Sequence, residues 1–171
     1  LPSAAPSTAR FPHSTVARTG SVRRGAFTFM ADKVFTAAAR MYWEDTDAGG
    51  IVYHANYLRY MERARTEMLR ELGYEQERLR AEGLPLIVVA GIDISFKRPA
   101  RLDDLLAIET RLVQLRRASM TFEQRILRGQ TLICQARVRC AALDPGRGCA
   151  TAVPPAFYEA ILPYLCSQES A

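Results

Sequence analysis

Histidine and tryptophan are nearly absent from this 171-residue chain: His13 and His54 are its two histidines and Trp43 is its one tryptophan. A histidine-built metal centre is thereby excluded. The four cysteines, Cys134, Cys140, Cys149 and Cys166, crowd into the last third of the chain without a C-x-x-C pair, so no zinc knuckle is expected. They are read as buried, reduced thiols of a cytosolic protein instead of a disulfide framework. No G-x-S-x-G elbow, P-loop or strand-borne G-x-G-x-x-G occurs, which removes the serine-hydrolase, phosphate-loop and dinucleotide signatures. No run reaches the roughly 18 apolar residues of a membrane-spanning helix, and no apolar centre of a secretory signal is present.

What remains is ordinary globular composition, 49% hydrophobic and 24% charged, with a net charge of +5. Residues 1–29 hold Arg10, Arg18, Arg23 and Arg24 and no acid, which leaves +1 for everything after them. That remainder is too small and too evenly mixed for a phosphate-backbone footprint, so no nucleic-acid role is expected. Residues 1–29 are expected to be a disordered extension ahead of Met30, which reads as the natural first residue; the same Arg-rich, acid-free composition also fits an organelle transit peptide. A single domain over 30–165 and a tail over 166–171 complete the division.

Val34 to Trp43 has the apolar, β-tolerant character of a strand and runs into the acid- and glycine-rich loop Glu44 to Gly50. From Asn56 to Leu72 the residues Tyr57, Leu58, Met61, Ala64, Met68, Leu69 and Leu72 recur at three and four, predicting an amphipathic helix with Gly73 as its left-handed cap. On its other face Arg63, Arg65 and Arg70 are expected to be solvated and paired with Glu62, Glu67 and Glu71. A further helical turn or two is expected over Glu75–Glu82. Strands follow at Pro85–Phe96, Leu105–Leu115, Ser119–Leu127 and Thr131–Leu143, then a short helix from Ala156 to Leu165. Connections this short join antiparallel neighbours. The economical assembly is α+β, one curved antiparallel sheet covering one long helix, and its exposed sheet edges predict at least a homodimer.

Chemistry concentrates in Trp43 to Tyr57, WEDTDAGGIVYHANY. Asp45 and Asp47 precede a Gly-Gly pair, His54 follows, and the start of the helix turns unsatisfied N–H groups back toward the loop. A carboxylate, an imidazole and free amide donors suit the addition of water to an activated acyl carbon. Asp47 acts as base or nucleophile, and the amides receive the oxyanion. A thioester fits because its thiolate leaves without strong acid, and neither cofactor nor metal is called for. Asp47 also fits a plain turn-former or helix cap. Lys97-Arg98 and Arg116-Arg117, at strand ends and turns, are candidates for the phosphates of a nucleotide-bearing thiol carrier, or are solvated turn charges. Met61, Met68 and the helix tyrosines are read as core or dimer contacts.

The stretch RMYWEDTDAGGIVYHANYLRYMERARTEML, Arg40 to Leu69, with T-D-x-x-G-I-V-x-H intact at Thr46 to His54, resembles the hot-dog-fold acyl-CoA thioesterases of the 4-hydroxybenzoyl-CoA thioesterase family. It is most similar to the branch associated with the Tol-Pal envelope system. The likeness runs on through ISFKRPARLDDLLAIET, Ile94 to Thr110, and covers Val34 to about Ile161. The resemblance implies a hot-dog fold, with a five-stranded antiparallel sheet wrapped around the long helix, and a homodimer with joined sheets or a homotetramer. It also implies active sites between subunits and short- or medium-chain acyl-CoA as substrate. By position Asp47 becomes the catalytic carboxylate and His54 its partner, with the backbone N–H groups near Tyr53 and His54 polarising the carbonyl. A binding module for acyl carrier protein or an envelope complex, with little turnover, and a hot-dog dehydratase are the competing readings. Trp43 stands where close relatives often carry Tyr, which bears on pocket shape.

Overall fold

Along β3 (Leu105–Leu115) the side chains of Leu106, Ile108, Thr110 and Leu112 are buried while their intervening neighbours are not. The same two-residue alternation buries Met120, Phe122, Gln124 and Ile126 of β4 (Ser119–Arg128) and Cys134, Ala136, Val138, Cys140 and Ala142 of β5 (Thr131–Asp144). One face of a sheet is therefore apolar except at Thr110 and Gln124 and must be covered. The computed structural model describes residues 33–166; the stretch expected to be disordered, 1–29, and residues 167–171 of the tail lie outside the described residues.

The cover is α1 (His54–Glu71), whose Met61, Ala64 and Met68 are fully buried in the same core cluster as the inward residues of the strands. Gly73, at φ 83°, ends it as the spacing predicts. The Tyr74 N–H donates to the Leu69 carbonyl (2.9 Å) and the Gly73 N–H to that of Arg70 (2.9 Å), closing a Schellman motif. With β1 (Phe35–Arg40) and β2 (Leu86–Phe96) the sheet order is β1-β3-β4-β5-β2, and every pair is antiparallel. The expected α+β architecture, a five-stranded antiparallel sheet around one long helix, is what forms.

Differences from expectation are local. The strand read through Trp43 ends at Arg40, because the chain turns into a 3-10 helix at Trp43–Asp45, where the Asp45 carboxylate accepts the Tyr42 N–H. Helix α1 begins two residues early, at His54. A two-residue strand, β6 (Cys149–Ala150), adds to β5. The polar segment after Gly73 is the helix α2 (Gln76–Ala81), and the C-terminal helix is α3 (Pro155–Ile161) followed by a 3-10 turn, Leu162–Tyr164. The pair Arg70–Glu67 lies on the surface as read. Arg65 does not: it is 8% exposed, because it sits one turn beyond Met61 and one turn before Leu69, on the stripe that faces the sheet.

Cys134 and Cys140 are buried as expected, but Cys149, on the short β6, is exposed and Cys166 is half-buried. Burial pushes the Cys134 thiol up to about 12 and raises that of Cys140. The Cys134 thiol holds its proton in the folded chain at pH values where an unfolded thiol has begun to ionise, so it favours the native state below about pH 9 and loses that contribution as pH rises toward 12; Cys140 acts in the same direction. Titration with a chromogenic disulfide at pH 8 is expected to label Cys149 rapidly, and Cys134 and Cys140 only after denaturation.

Candidate active site

Between β1 and α1 the chain folds back on itself as a small hairpin. Thr46 bridges Val52, the Asp47 N–H donates to the Ile51 carbonyl (2.9 Å), and the Gly50 N–H donates to the Asp47 carbonyl (3.0 Å). The turn needs Gly50 at φ 69°, a conformation that costs an L-residue roughly 1 kcal/mol. Asp47 Oδ1 accepts the Gly49 N–H at 2.8 Å, and among the described residues Oδ2 takes no hydrogen bond. The turn-forming role and the presentation of a free carboxylate oxygen thus belong to one conformation. A Cβ on Gly49 would come within 3.0 Å of Oδ1, so glycine there keeps the Asp47 side chain in place.

The hairpin is tied to the helix by Asp45. Its backbone carbonyl accepts the Tyr53 N–H (2.9 Å) and the Asn56 Nδ2 (2.9 Å) together, which brings the first turn of α1 against the loop. The Tyr53 N–H is therefore already taken, which corrects its expected place among the oxyanion donors. The amide of His54 lies in the first turn of α1, where no helical carbonyl four residues back is available to accept it. Its imidazole is exposed, tilted against the Tyr53 ring with centroids 4.4 Å apart and edge-on to Phe96 at 6.4 Å. Beside Asp45, burial first and the neighbouring carboxylate second push the Tyr60 phenol well above its ordinary value.

From β2, at the sheet edge, the chain must cross the sheet end to reach β3. That crossing brings Lys97–Ala100 under the helix start. The Val52 N–H donates to the Ala100 carbonyl (2.8 Å), and the Ala100 N–H donates to the Tyr57 hydroxyl (3.0 Å). Burial raises the Tyr57 phenol, partly offset by that amide. The result is a cavity of about 400 Å³ whose lining includes Asp47, His54, Tyr57, Phe96, Lys97 and Arg98.

Four of the seven site residues read from the sequence, Asp47, His54, Lys97 and Arg98, thus meet at one opening. Arg116 and Arg117 do not join them. They form the β3–β4 turn, eight residues along β3 from Ile108, which stands level with Phe96 through Ile126 and Cys134; at ~3.3 Å per residue that is about 26 Å away. Tyr57 and Phe96 were not singled out for the site. Tyr57 follows His54 by three residues, on the same side of the helix, and that spacing was the available signal. Trp43 is 79% exposed and does not line the cavity. Among the described residues no group of three or more metal-ligating side chains gathers.

Gly50→Ala is expected to lower stability by about 1 kcal/mol, read from denaturant unfolding. Gly49→Ala is expected to change stability less but to lower turnover, since the displaced atom is an Asp47 oxygen.

Residues 41–161 match the family model described as the thioesterase-like superfamily. The chain is 44% identical over 118 residues to the acyl-CoA thioesterase YbgC of Haemophilus influenzae, covering 69% of this chain and 87% of that one. It is equally identical, over 117 residues, to the acyl-CoA thioester hydrolase YbgC of Escherichia coli O157:H7, covering 68% and 87%. A probable thioesterase from Bartonella henselae superposes with a TM-score of 0.68 at 38% identity, covering 71% of this chain and all of that one. The loop, the helix start and the strand exit that build the cavity all fall inside the matched region, and the chain belongs to the thioesterase-like superfamily.

Proposed function

We propose that this chain hydrolyses acyl-CoA thioesters of short or medium chain at the cavity beside Asp47. It is a thioester hydrolase, and the observation that carries the reading is the convergence of a carboxylate, a helix N-terminus and two cations on one opening. The thioester carbonyl oxygen is received by the His54 N–H at the positive end of α1, which favours the charge that develops as the carbon becomes tetrahedral. Asp47 either takes a proton from the attacking water or attacks the carbon itself, forming an anhydride that water then opens. In both routes the C–S bond breaks, the electron pair leaves with the CoA sulfur, and the acid product keeps the new oxygen. His54, which lines the same cavity, serves as the imidazole partner of the carboxylate. Lys97 and Arg98 at the cavity lining hold the CoA phosphates, and Arg116 and Arg117 take no part in the chain's own cavity. The reading needs no cofactor.

The same proposal includes the pairing of two copies. β2 is a sheet edge, and Val89, Ile92 and Phe96 on it are 47%, 43% and 49% exposed. Backbone groups without a neighbour beside exposed apolar side chains favour a second sheet joined there, placing the cavity at the seam of a homodimer, with a homotetramer built from it. A cytoplasmic location, thioesters of acyl carrier protein as further substrates and a place in the Tol-Pal-associated branch complete the proposal. The branch rests on the loop signature Thr46–His54. Among the described residues no helix is long and apolar enough to cross a membrane.

With a panel of acyl-CoAs and a thiol reporter, Asp47→Asn is expected to lower kcat by roughly 10²–10⁴-fold while folding and assembly are retained; equal turnover by the variant would sink the role. Ile92→Asp is expected to shift the assembly toward monomer in light scattering, with activity falling alongside.

A further inference from the structure

The surface reading of Arg65 fails in the structure, and what replaces it needs a ligand. Arg65 Nη1 donates to Gln124 Oε1 at 2.6 Å, and Gln124 is itself anchored by donating to the Met61 carbonyl (2.9 Å) and to Thr110 Oγ1 (2.9 Å). Gln124 and Thr110 are fully buried. The guanidinium is thus held by a chain of neutral groups, and among the described residues no carboxylate lies within ion-pair distance of it; the nearby Glu62 accepts the Thr66 hydroxyl at 2.7 Å instead. Burial lowers the Arg65 pKa, and a guanidinium keeps its charge in proteins. A buried cation that feels the Glu62 carboxylate only from beyond ion-pair distance is costly, and a fork with most of its donors uncommitted is shaped for a carboxylate.

Arg65 and Glu62 both line a second cavity, of about 60 Å³, whose apolar wall includes Leu69, Ile87, Val89 and Phe122. This cavity and the Asp47 cavity lie on the same side of α1, between the helix and β2. Val89, Ile92, Ile94 and Phe96 are paired with the buried Cys140, Val138, Ala136 and Cys134, so they share one face of β2 as an apolar row, partly exposed at the sheet edge, that runs from Val89 of one cavity to Phe96 of the other. From Tyr57 to Arg65 the helix rises about 12 Å, and the Arg65 side chain leans back toward the helix start.

We infer that Arg65 reads the far end of the acyl group: resting on the thioesterase reading above, the preferred substrates are thioesters of medium length whose distal end carries a carboxylate. The apolar row holds the methylenes, and Arg65, pre-set by Gln124, receives the terminal carboxylate.

The test compares kcat/KM for CoA monothioesters of α,ω-dicarboxylic acids of increasing length with simple acyl-CoAs of equal length. The wild type is expected to prefer the carboxyl-ended series at one intermediate length, by roughly tenfold and through KM. Arg65→Met is expected to lower the ratio of carboxyl-ended to methyl-ended kcat/KM by that factor. Gln124→Glu, nearly isosteric, is expected to do the same by setting an internal carboxylate against the guanidinium, and it answers the question should Arg65→Met fold poorly. A wild type that treats the two series alike at every length, or variants that leave the ratio unchanged, would overturn the inference. Inhibition by small free carboxylates that depends on Arg65, without any preference among thioesters, would reassign the cavity to a free anion and overturn it equally. Absence of hydrolysis with every acyl-CoA would instead defeat the thioesterase reading, and binding of the free dicarboxylates, followed by calorimetry with and without Arg65→Met, would still decide the role of Arg65.

Discussion

The Asp45 carbonyl accepts two donors, the Tyr53 N–H and the Asn56 side-chain amide, and the candidate site depends on that double acceptance. It fixes the start of α1 against a loop that would otherwise be a glycine-rich excursion from a strand. The Asp45 carboxylate, meanwhile, accepts the Tyr42 N–H and terminates β1. One residue therefore stops the strand, closes the hairpin that carries Asp47 and orients the helix whose first amides face it. Such rigidity suits a site built on a loop, where a carboxylate must be held to a fraction of an ångström from its target.

The rest of the cavity follows from topology. β2 occupies the sheet edge while β3, its successor in sequence, lies three strands away, so the connection has to pass across the sheet end on which α1 begins. Ala100 anchors that passage by accepting from Val52 and donating to Tyr57. Lys97 and Arg98 are carried to the opening by this crossing. Arg116 and Arg117, with similar chemistry, are left at the far end because a hairpin turn returns there.

Much of this architecture could be read from the chain. Two-residue alternation marks β3, β4 and β5 because one face of each is buried and the other is not, and their bounds agree with the spacing to within a residue or so. The helix was legible for the same reason, with a period near 3.6. Its first turn was harder, since His54 and Ala55 carry no apolar signal and are helical because the loop behind them is pinned. Arg65 was misread because periodicity counts an arginine as polar, whereas its place between Met61 and Leu69 buries it and Gln124 and Thr110, invisible as partners in sequence, supply the polar contacts that make this tolerable.

Local chemistry along the chain settled which segments become strands and helix, and it placed an acid, glycines and a histidine at a helix start, because periodicity and turn propensity act over a few residues. Only the tertiary structure decided that the Tyr53 amide is spent on Asp45, that Lys97-Arg98 and not Arg116-Arg117 reach the cavity, and that the Arg65 guanidinium is buried under α1's sheet-facing side with no ion pair among the described residues. Those outcomes depend on hydrogen bonds and strand order between residues far apart in sequence, which spacing along a single chain does not encode.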